Sequence, residues 1–272
     1  MSGEFDLDAY LARIGYSGPR VPTLPVLRAL HALQPEHIPF ENLDPLLGRP
    51  VLLDLPFLQD KLVRQRRGGY CFELNSLFGA ALEALGFNVT RLAGRVRWMA
   101  APDAPARPRT HMALLVELNE GPYLADVGFG VHLVAAPIRL EADSVQPTPA
   151  SLLRLLADNN GSFTLQTELP KGWQDVYRFT LEPQEPADYE MGSWFTATHP
   201  TSLFVGNLLA ERLTPYSRFT LFNRRLTSRH TDGGVEERDL VSADDLGEVL
   251  DAVFHITPPV DVAEIWQKLP RG

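Results

Sequence analysis

The chain has 272 residues, 44% of them hydrophobic and 22% charged, which is typical of a folded protein with a sizeable core rather than a disordered chain. Its 34 acidic and 25 basic side chains give a net charge of −9, which disfavours a nucleic-acid partner because phosphate binding requires clustered basic residues. No apolar run reaches the ~18–20 residues of a membrane span, no secretory signal is recognisable, and the single cysteine forms no intrachain disulfide, so we expect a cytoplasmic protein without a membrane partner.

The first 86 residues predict four helices. The side chains suited to begin the first three are Asp6, Thr23 and Asp54. The second helix is expected to end at its prolines, Pro35 and Pro39. The fourth helix is the clearest, because apolar residues recur at i, i+3, i+4, i+7, i+8 and i+11 from Leu74 to Leu85, and Gly86 follows as a C-terminal glycine.

Short alternating runs predict strands from residue 87 to about residue 181. Residues 111–118 and 123–129 are expected to form two strands joined by a turn. The stretch 137–161 fits a strand followed by a helix around residues 151–156.

The C-terminal part mixes helical and strand patterns. A helix is expected over residues 201–211, and strands over 219–226 and 234–240. Another helix is expected after Ser242, whose hydroxyl is placed to cap the amide of Asp245. The order of helices, then strands, then a mixed segment predicts an α+β fold.

Cys71 lies at the first turn of the clearest helix. Free N–H groups and the helix dipole stabilise a thiolate at that position. A lone cysteine is more often inert packing. Here, however, Gly68-Gly69 allows a ligand to approach the backbone closely, and Arg67 adds positive charge nearby. We therefore interpret Cys71 as a catalytic nucleophile.

A nucleophilic thiolate needs a base and a group that orients the base. His111 opens an apolar strand, where a polar side chain is unexpected, and Asp126 interrupts the next apolar run, where an unpaired carboxylate is unfavourable. The two residues face each other if a four-residue loop over 117–120 joins the strands. A loop centred two residues later would separate them by about four residues, and a bulge would have to restore the contact. The spacing therefore permits a triad with Cys71 without fixing it.

Other catalytic motifs are absent from the sequence. No metal-binding or serine-hydrolase motif occurs, so we expect no metal site. Gly128-Phe129-Gly130 lacks the third glycine and the following helix of a dinucleotide-binding fingerprint. The separation of Cys71 and His111, 111 − 71 = 40 residues, is far shorter than in papain-type proteases.

The segment Arg67-Gly68-Gly69-Tyr70-Cys71-Phe72-Glu73-Leu74-Asn75 resembles the active-site motif of the arylamine N-acetyltransferases. The segments 111–116 and 123–130 are similar to the family's histidine and aspartate segments, in the same order. Residues 37–43, 198–208 and 223–226 are similar to three further family segments, so the resemblance covers nearly the whole chain.

The resemblance implies three domains and a cysteine-protease-like catalytic core, related to papain and transglutaminase. A helical bundle over residues 1–86 would carry the cysteine, a central β-barrel over 87–196 the histidine and aspartate, and an interdomain helix and α/β lid would span 197–272. It also implies acetyl-CoA as donor, an arylamine or arylhydrazine as acceptor, and a ping-pong route through acetylated Cys71. Such a monomer or homodimer would act in the metabolism of foreign aromatic compounds.

The resemblance also implies binding residues. The loop of residues 128–131 and Phe204 are expected near the pantetheine of CoA. The full set of expected donor contacts is Gly128, Phe129, Gly130, Phe204, Thr110 and Trp98. For the acceptor, Phe40, Phe129 and Phe204 are expected to form an apolar slot for a flat ring, with simple core packing as their alternative role.

Two alternatives remain open from the sequence. A cysteine hydrolase or a macrolactam-forming amide synthase on the same scaffold would use the same three residues and would differ in whether water reaches the acyl-enzyme. A non-catalytic binding protein with this fold is disfavoured, because all three triad residues are intact.

Overall fold

A computed structural model describes residues 5–101, 103–130 and 132–270 of the chain. The N-terminal part contains α1 (Leu7–Arg13), α2 (Leu24–His37), β1 (Phe40–Glu41), α3 (Leu43–Leu47), α4 (Leu55–Leu58), a π-helical turn (Gln59–Arg64) and α5 (Cys71–Ala84). The carboxylates of Asp6 and Asp54 each accept a backbone amide at 3.0 Å, from Ala9 and Phe57, so these two caps are confirmed.

Of the two prolines expected to end α2, Pro39 follows directly after the C-cap residue Ile38, but the expectation for Pro35 is wrong. Pro35 lies inside the helix, which continues to His37. The last turn is held from the core side, because the buried Gln34 accepts the Tyr10 hydroxyl at 2.6 Å and donates to the Leu74 carbonyl at 3.1 Å. These tertiary contacts outweigh the single helical amide that a proline removes.

The middle of the chain forms an eight-stranded antiparallel sheet with the order β5-β4-β3-β2-β9-β8-β7-β6. Its strands are β2 (Asn88–Val96), β3 (His111–Leu118), β4 (Gly121–Ala125), β5 (Ile138–Arg139), β6 (Val145–Pro147), β7 (Leu152–Ala157), β8 (Ser162–Leu169) and β9 (Gly172–Thr180). The side-chain amide of Gln146 in β6 bonds both backbone groups of Arg139 in β5. These bonds draw the two edges together into a nearly closed, barrel-like sheet.

The helix expected around residues 151–156 is a strand. β7 pairs with β6 and β8, and its side chains alternate, with Leu153 and Leu155 buried inside the barrel. The leucines of this segment are locally compatible with a helix or a strand. The pairing imposes the two-residue period of a strand and so decides between them.

The C-terminal part begins with α6 (Pro186–Thr198), which the sequence did not indicate. It continues with α7 (Leu203–Gly206), β10 (Leu209–Leu213), β11 (Ser217–Phe222), β12 (Arg225–His230), β13 (Val235–Asp239), α8 (Ala243–Ala252) and α9 (Val262–Lys268). Ser242 caps α8 through the amide of Asp245 at 3.1 Å, as predicted.

Two further predictions for the C-terminal part are corrected. The helix expected over 201–211 is restricted to α7, because β10 pairs on one side with β1 and on the other with β11. The strand expected over 219–226 is interrupted by a turn at Asn223, which adopts a positive φ of 54° and separates β11 from β12. β1 thereby joins the N-terminal part to a five-stranded sheet with the order β1-β10-β11-β12-β13.

Buried apolar side chains of the described residues form three clusters. The largest packs α1, α2 and α5 against one face of β2, β3 and β4, the second fills the barrel, and the third lies between the C-terminal sheet and α3, α8 and α9. β3 contributes to both faces, which explains its continuous apolar run. The fold is therefore a mixed α and β fold with a barrel-like sheet, as expected. No helix in the described ranges is long and apolar enough to cross a membrane.

Candidate active site

Cys71 is the first residue of α5 and is 5% exposed. The side chain of Glu73, two residues further on, accepts the backbone amide of Tyr70 at 3.1 Å and so fixes the start of the helix. The thiol contacts the carbonyl oxygen of Thr110 at 3.5 Å. The sulfur thus lies at the positive end of the helix dipole, as the sequence predicted, and it is buried there.

His111 and Asp126 are in direct contact, with 2.7 Å between Nε2 and Oδ2, and both are almost completely buried. Neither loop considered from the sequence is present, because β3 and β4 are joined by a two-residue turn at 119–120 that pairs Leu114 with Ala125. Continued by one residue, that register would place Asp126 opposite Ala113, two residues from His111. The contact forms because β4 ends at Ala125 and the chain leaves the ladder there.

Three neighbours besides His111 hold Asp126. Its Oδ1 accepts the side-chain amide of Asn75 at 3.0 Å and the backbone amide of Gly128 at 2.9 Å. Its own backbone amide donates to Nε2 of His31 at 3.1 Å. Asn75 also accepts the amide of Val127 at 3.1 Å, so one side chain fixes both the carboxylate and the backbone that follows it.

The sequence assigned no role to Asn75, although Asn75 ends the active-site motif, and none to His31. Asn75 lies four residues after Cys71, one helical turn along the same face, so its spacing was a usable signal. His31 is a polar residue on the apolar face of α2, and nothing in its local sequence indicates which group it contacts.

The electrostatics favour a charged imidazole. Burial disfavours the cation on His111, but the Asp126 carboxylate, together with hydrogen bonds to Asp126 and Cys71, raises the pKa of His111 to about 10. Burial also opposes ionisation of Asp126, yet the His111 charge and hydrogen bonds from His111, Asn75 and Gly128 lower the pKa of this carboxyl. By contrast, burial lowers the pKa of His31 to about 4, so it stays neutral and accepts.

Gly128 allows the segment after β4 to cross directly over the cysteine. A Cβ at this position would lie 2.8 Å from the Cα of Cys71 and 2.8 Å from Nδ2 of Asn75, closer than carbon atoms normally approach. Any larger residue would therefore push this segment away from α5.

The structure brings the predicted binding residues together around the cysteine in two groups. In one, the ring of Phe129 lies 5.1 Å from that of His111 and 6.2 Å from that of Trp98. In the other, the rings of Phe40 and Phe204 are 5.8 Å apart. The groups meet at Gly130, next to Phe129 in the chain, where a Cβ would lie 2.3 Å from the ring of Phe40. Residue 131 of the expected loop lies outside the described residues.

Arg67 does not supply a free positive charge, contrary to expectation. Its guanidinium is buried and lies 2.7 Å from Glu41 and 3.2 Å from Asp44. Nζ of Lys61, placed by the π-helical turn, lies 2.6 Å from both Asp44 and Glu73. Two buried cations and three carboxylates therefore form one network behind the N-terminus of α5.

Comparisons with known proteins show which family this chain is similar to. A family profile described as N-acetyltransferase matches residues 23–262. An arylamine N-acetyltransferase of Mycolicibacterium smegmatis is 46% identical over 92% of this chain and 90% of its own length, and one of Escherichia coli is 44% identical over 91% and 88%.

Solved structures give the same similarity. The arylamine N-acetyltransferase of M. tuberculosis superposes with a TM-score of 0.91 at 42% identity, covering 97% of this chain and 100% of that one. That of Mycobacterium marinum in complex with CoA superposes with a TM-score of 0.89 at 43% identity, covering 97% and 96%.

Proposed function

The chain belongs to the arylamine N-acetyltransferase family of acyltransferases, and from this premise we propose that it moves the acetyl group of acetyl-CoA onto the nitrogen of an arylamine or arylhydrazine by way of an acetylated Cys71. The observation that carries the proposal is the buried contact of Asp126 with His111, the residue after Thr110, whose carbonyl oxygen the Cys71 thiol contacts. The M. marinum relative in complex with CoA supports CoA as the carrier of the acyl group.

In the first half-reaction His111 accepts the thiol proton, and Asp126 stabilises the resulting imidazolium. The sulfur of Cys71 attacks the carbonyl carbon of the acetyl thioester. Backbone amides at the start of α5 are placed to bind the developing oxyanion. The bond between the carbonyl carbon and the CoA sulfur then breaks, and CoA leaves with the proton from His111.

In the second half-reaction the amine nitrogen attacks the acetyl carbon of the thioester on Cys71. His111 accepts the proton that the nitrogen loses, and it returns this proton to the sulfur as the bond from carbon to sulfur breaks. The 5% exposure of Cys71 supports transfer over hydrolysis, because an acyl-enzyme shielded from water survives until the amine binds.

The proposal assigns binding roles to the surrounding residues. The donor contacts are Gly128, Phe129, Gly130, Phe204, Thr110 and Trp98. The acceptor slot is formed by Phe40, Phe129 and Phe204, whose ring faces suit a flat aromatic amine. We also propose that residues 1–86, 87–196 and 197–272 are three domains and that the first two form a cysteine-protease-like core. The protein would be a cytoplasmic monomer or homodimer, and its substrates would be foreign aromatic amines.

Acetyl loading of the enzyme tests the proposal. Incubation with acetyl-CoA alone is expected to add one acetyl group to Cys71, detected by intact and peptide mass spectrometry, and an aromatic amine should then remove it. Cys71→Ser and His111→Ala should abolish the adduct. His230→Ala, which alters a histidine of the C-terminal sheet, is the matched control and should load normally. A wild-type protein that forms no adduct would contradict acetyl transfer, and an adduct lost rapidly in water alone would favour a hydrolase.

A further inference from the structure

The segment after β4 carries most of the proposed site but belongs to no strand over much of its length. We refer to residues 126–130 and 132–135 as the post-β4 segment. It contains Asp126, Gly128, Phe129 and Gly130, and the next strand begins only at Ile138. Backbone outside a ladder needs other partners for its buried polar groups, so the contacts of this segment determine its position.

A buried ion pair of the C-terminal sheet binds both backbone groups of Leu133. Oε1 of Glu211 in β10 accepts the Leu133 amide at 2.9 Å, and a guanidinium nitrogen of Arg218 in β11 donates to the Leu133 carbonyl at 3.0 Å. The two side chains are themselves joined at 2.7 Å. Leu133 is fully buried and Glu211 is 1% exposed, so these charge-assisted bonds are shielded from water.

Strand β1, which pairs with β10, holds the post-β4 segment at a second point. Glu211 is paired across the sheet with Phe40 of β1, and the Phe40 ring lies directly against Gly130. The segment is therefore fixed at Gly130 by an aromatic ring and at Leu133 by the ion pair, both presented by β1, β10 and β11. Phe129, whose ring contacts His111, lies immediately before these two anchors.

The stability of the C-terminal sheet does not by itself account for a buried ion pair at this position. A buried pair of charges is often no more stabilising than apolar side chains of similar size, because both ions must be desolvated. The geometry instead matches recognition of one backbone residue at two atoms, which fixes an orientation as well as a distance. Control of the conformation of the post-β4 segment is the role that this geometry supports.

We propose that Glu211 and Arg218 are positioning residues that hold the post-β4 segment in the conformation that binds the acyl donor. The kinetic part of this inference rests on the proposed acetyl transfer. Asp126 is held by Asn75 and His31, and we expect these bonds to remain when the ion pair is broken. Donor binding, which uses Phe129 and its flanking glycines, is therefore the step that suffers, and the chemical step at saturation is largely retained.

Two substitutions and a matched control test the proposal. Arg218→Met should raise KM for acetyl-CoA about tenfold, the effect of one lost hydrogen bond to a charged group, and lower kcat less than about threefold. Glu211→Gln keeps an oxygen for the Leu133 amide and should give an intermediate KM. Arg225→Met breaks an ion pair of the same sheet, 2.6 Å from Asp239 but exposed to solvent, and should leave both constants unchanged.

Amide hydrogen exchange of the post-β4 segment, followed by mass spectrometry, provides a readout independent of turnover. Exchange there should be faster in Arg218→Met and Glu211→Gln than in the wild type, and unchanged in Arg225→Met. The proposal would be overturned if the folded Arg218→Met and Glu211→Gln variants had the KM and the exchange rates of the wild type. It would also be overturned if a lowered melting temperature were their only change. If Arg218→Met does not fold, Glu211→Gln decides by the same two readouts. An inactive wild type would contradict the proposed function alone, because exchange still tests the positioning role.

Discussion

The sharpest test of the electrostatic reasoning is Asp126→Asn, which removes one negative charge and leaves a side chain of nearly the same shape. In the wild type the carboxylate lies 2.7 Å from the His111 ring and is held by Asn75 and Gly128. Both of these bonds end on Oδ1, so an asparagine whose oxygen lies there retains them and places its amide group, instead of Oδ2, against His111. The substitution therefore changes the stabilisation of the imidazolium more than it changes the packing.

The size of the effect follows from the pKa of His111. The rise from 6.5 to about 10 corresponds to a net preference for the charged ring on the order of 5 kcal/mol. Burial acts against this charge, so loss of the carboxylate should take the pKa of His111 below its ordinary value. The imidazole is then uncharged at neutral pH, and we expect acetyl loading of Cys71 to slow about 10³- to 10⁴-fold, as in other triads whose carboxylate becomes an amide.

The slower loading can be measured directly by single-turnover acetylation with rapid quench and intact mass spectrometry. The rate of alkylation of Cys71 by iodoacetamide at neutral pH provides a second measurement of the reactivity of the thiol. Asp175→Asn, which alters a carboxylate of β9 that accepts from Gln166, is the matched control and should load at the wild-type rate.

The raised pKa of His111 also predicts how the stability of the protein depends on pH. The His111 contribution is complete below pH 6.5 and is lost as the pH rises through about 10, and the variant should lack this slope. A folded Asp126→Asn protein that loads within about fivefold of the wild-type rate would refute the reasoning.

Three further predictions follow from packing and burial. Gly128→Ala should strongly reduce acetyl loading, because its Cβ would lie 2.8 Å from the Cα of the cysteine, whereas Gly206→Ala, with no neighbour within 4 Å, should be silent in the same assay. Lys61→Met should lower the free energy of unfolding in urea by about 3–5 kcal/mol, because the buried carboxylate of Glu73 loses its cation and Asp44 loses one of its partners, and Arg64→Met, which breaks an exposed pair, should change it by less than about 1 kcal/mol. Because burial lowers the pKa of His31 to about 4, its contribution to stability falls as the pH drops from 6.5 towards 4. His31→Asn, which keeps an acceptor, should therefore lose less stability between pH 7 and pH 5 than the wild type, and an equal loss would contradict the assignment.

The sequence alone indicated the features that depend on neighbours a few residues apart. The side chains of Asp6, Asp54 and Ser242 cap helices as predicted, because a cap needs only the amides two or three residues further on. Cys71 begins α5 for the same local reason. His111 and Asp126 were visible as polar exceptions in apolar runs, since burial of such a group requires a partner.

Only the tertiary structure decided what depends on pairing between distant segments. The leucines of residues 152–157 fit a helix or a strand until β6 and β8 pair with them, and the contact of His111 with Asp126 depends on the point at which β4 leaves the ladder. The partners of Asn75 and Glu211 are likewise set by α5 packing on β3 and by β1 joining the C-terminal sheet. These contacts join separate elements of the fold, and their free energies appear only when those elements assemble, so the pattern within one element carries no record of them.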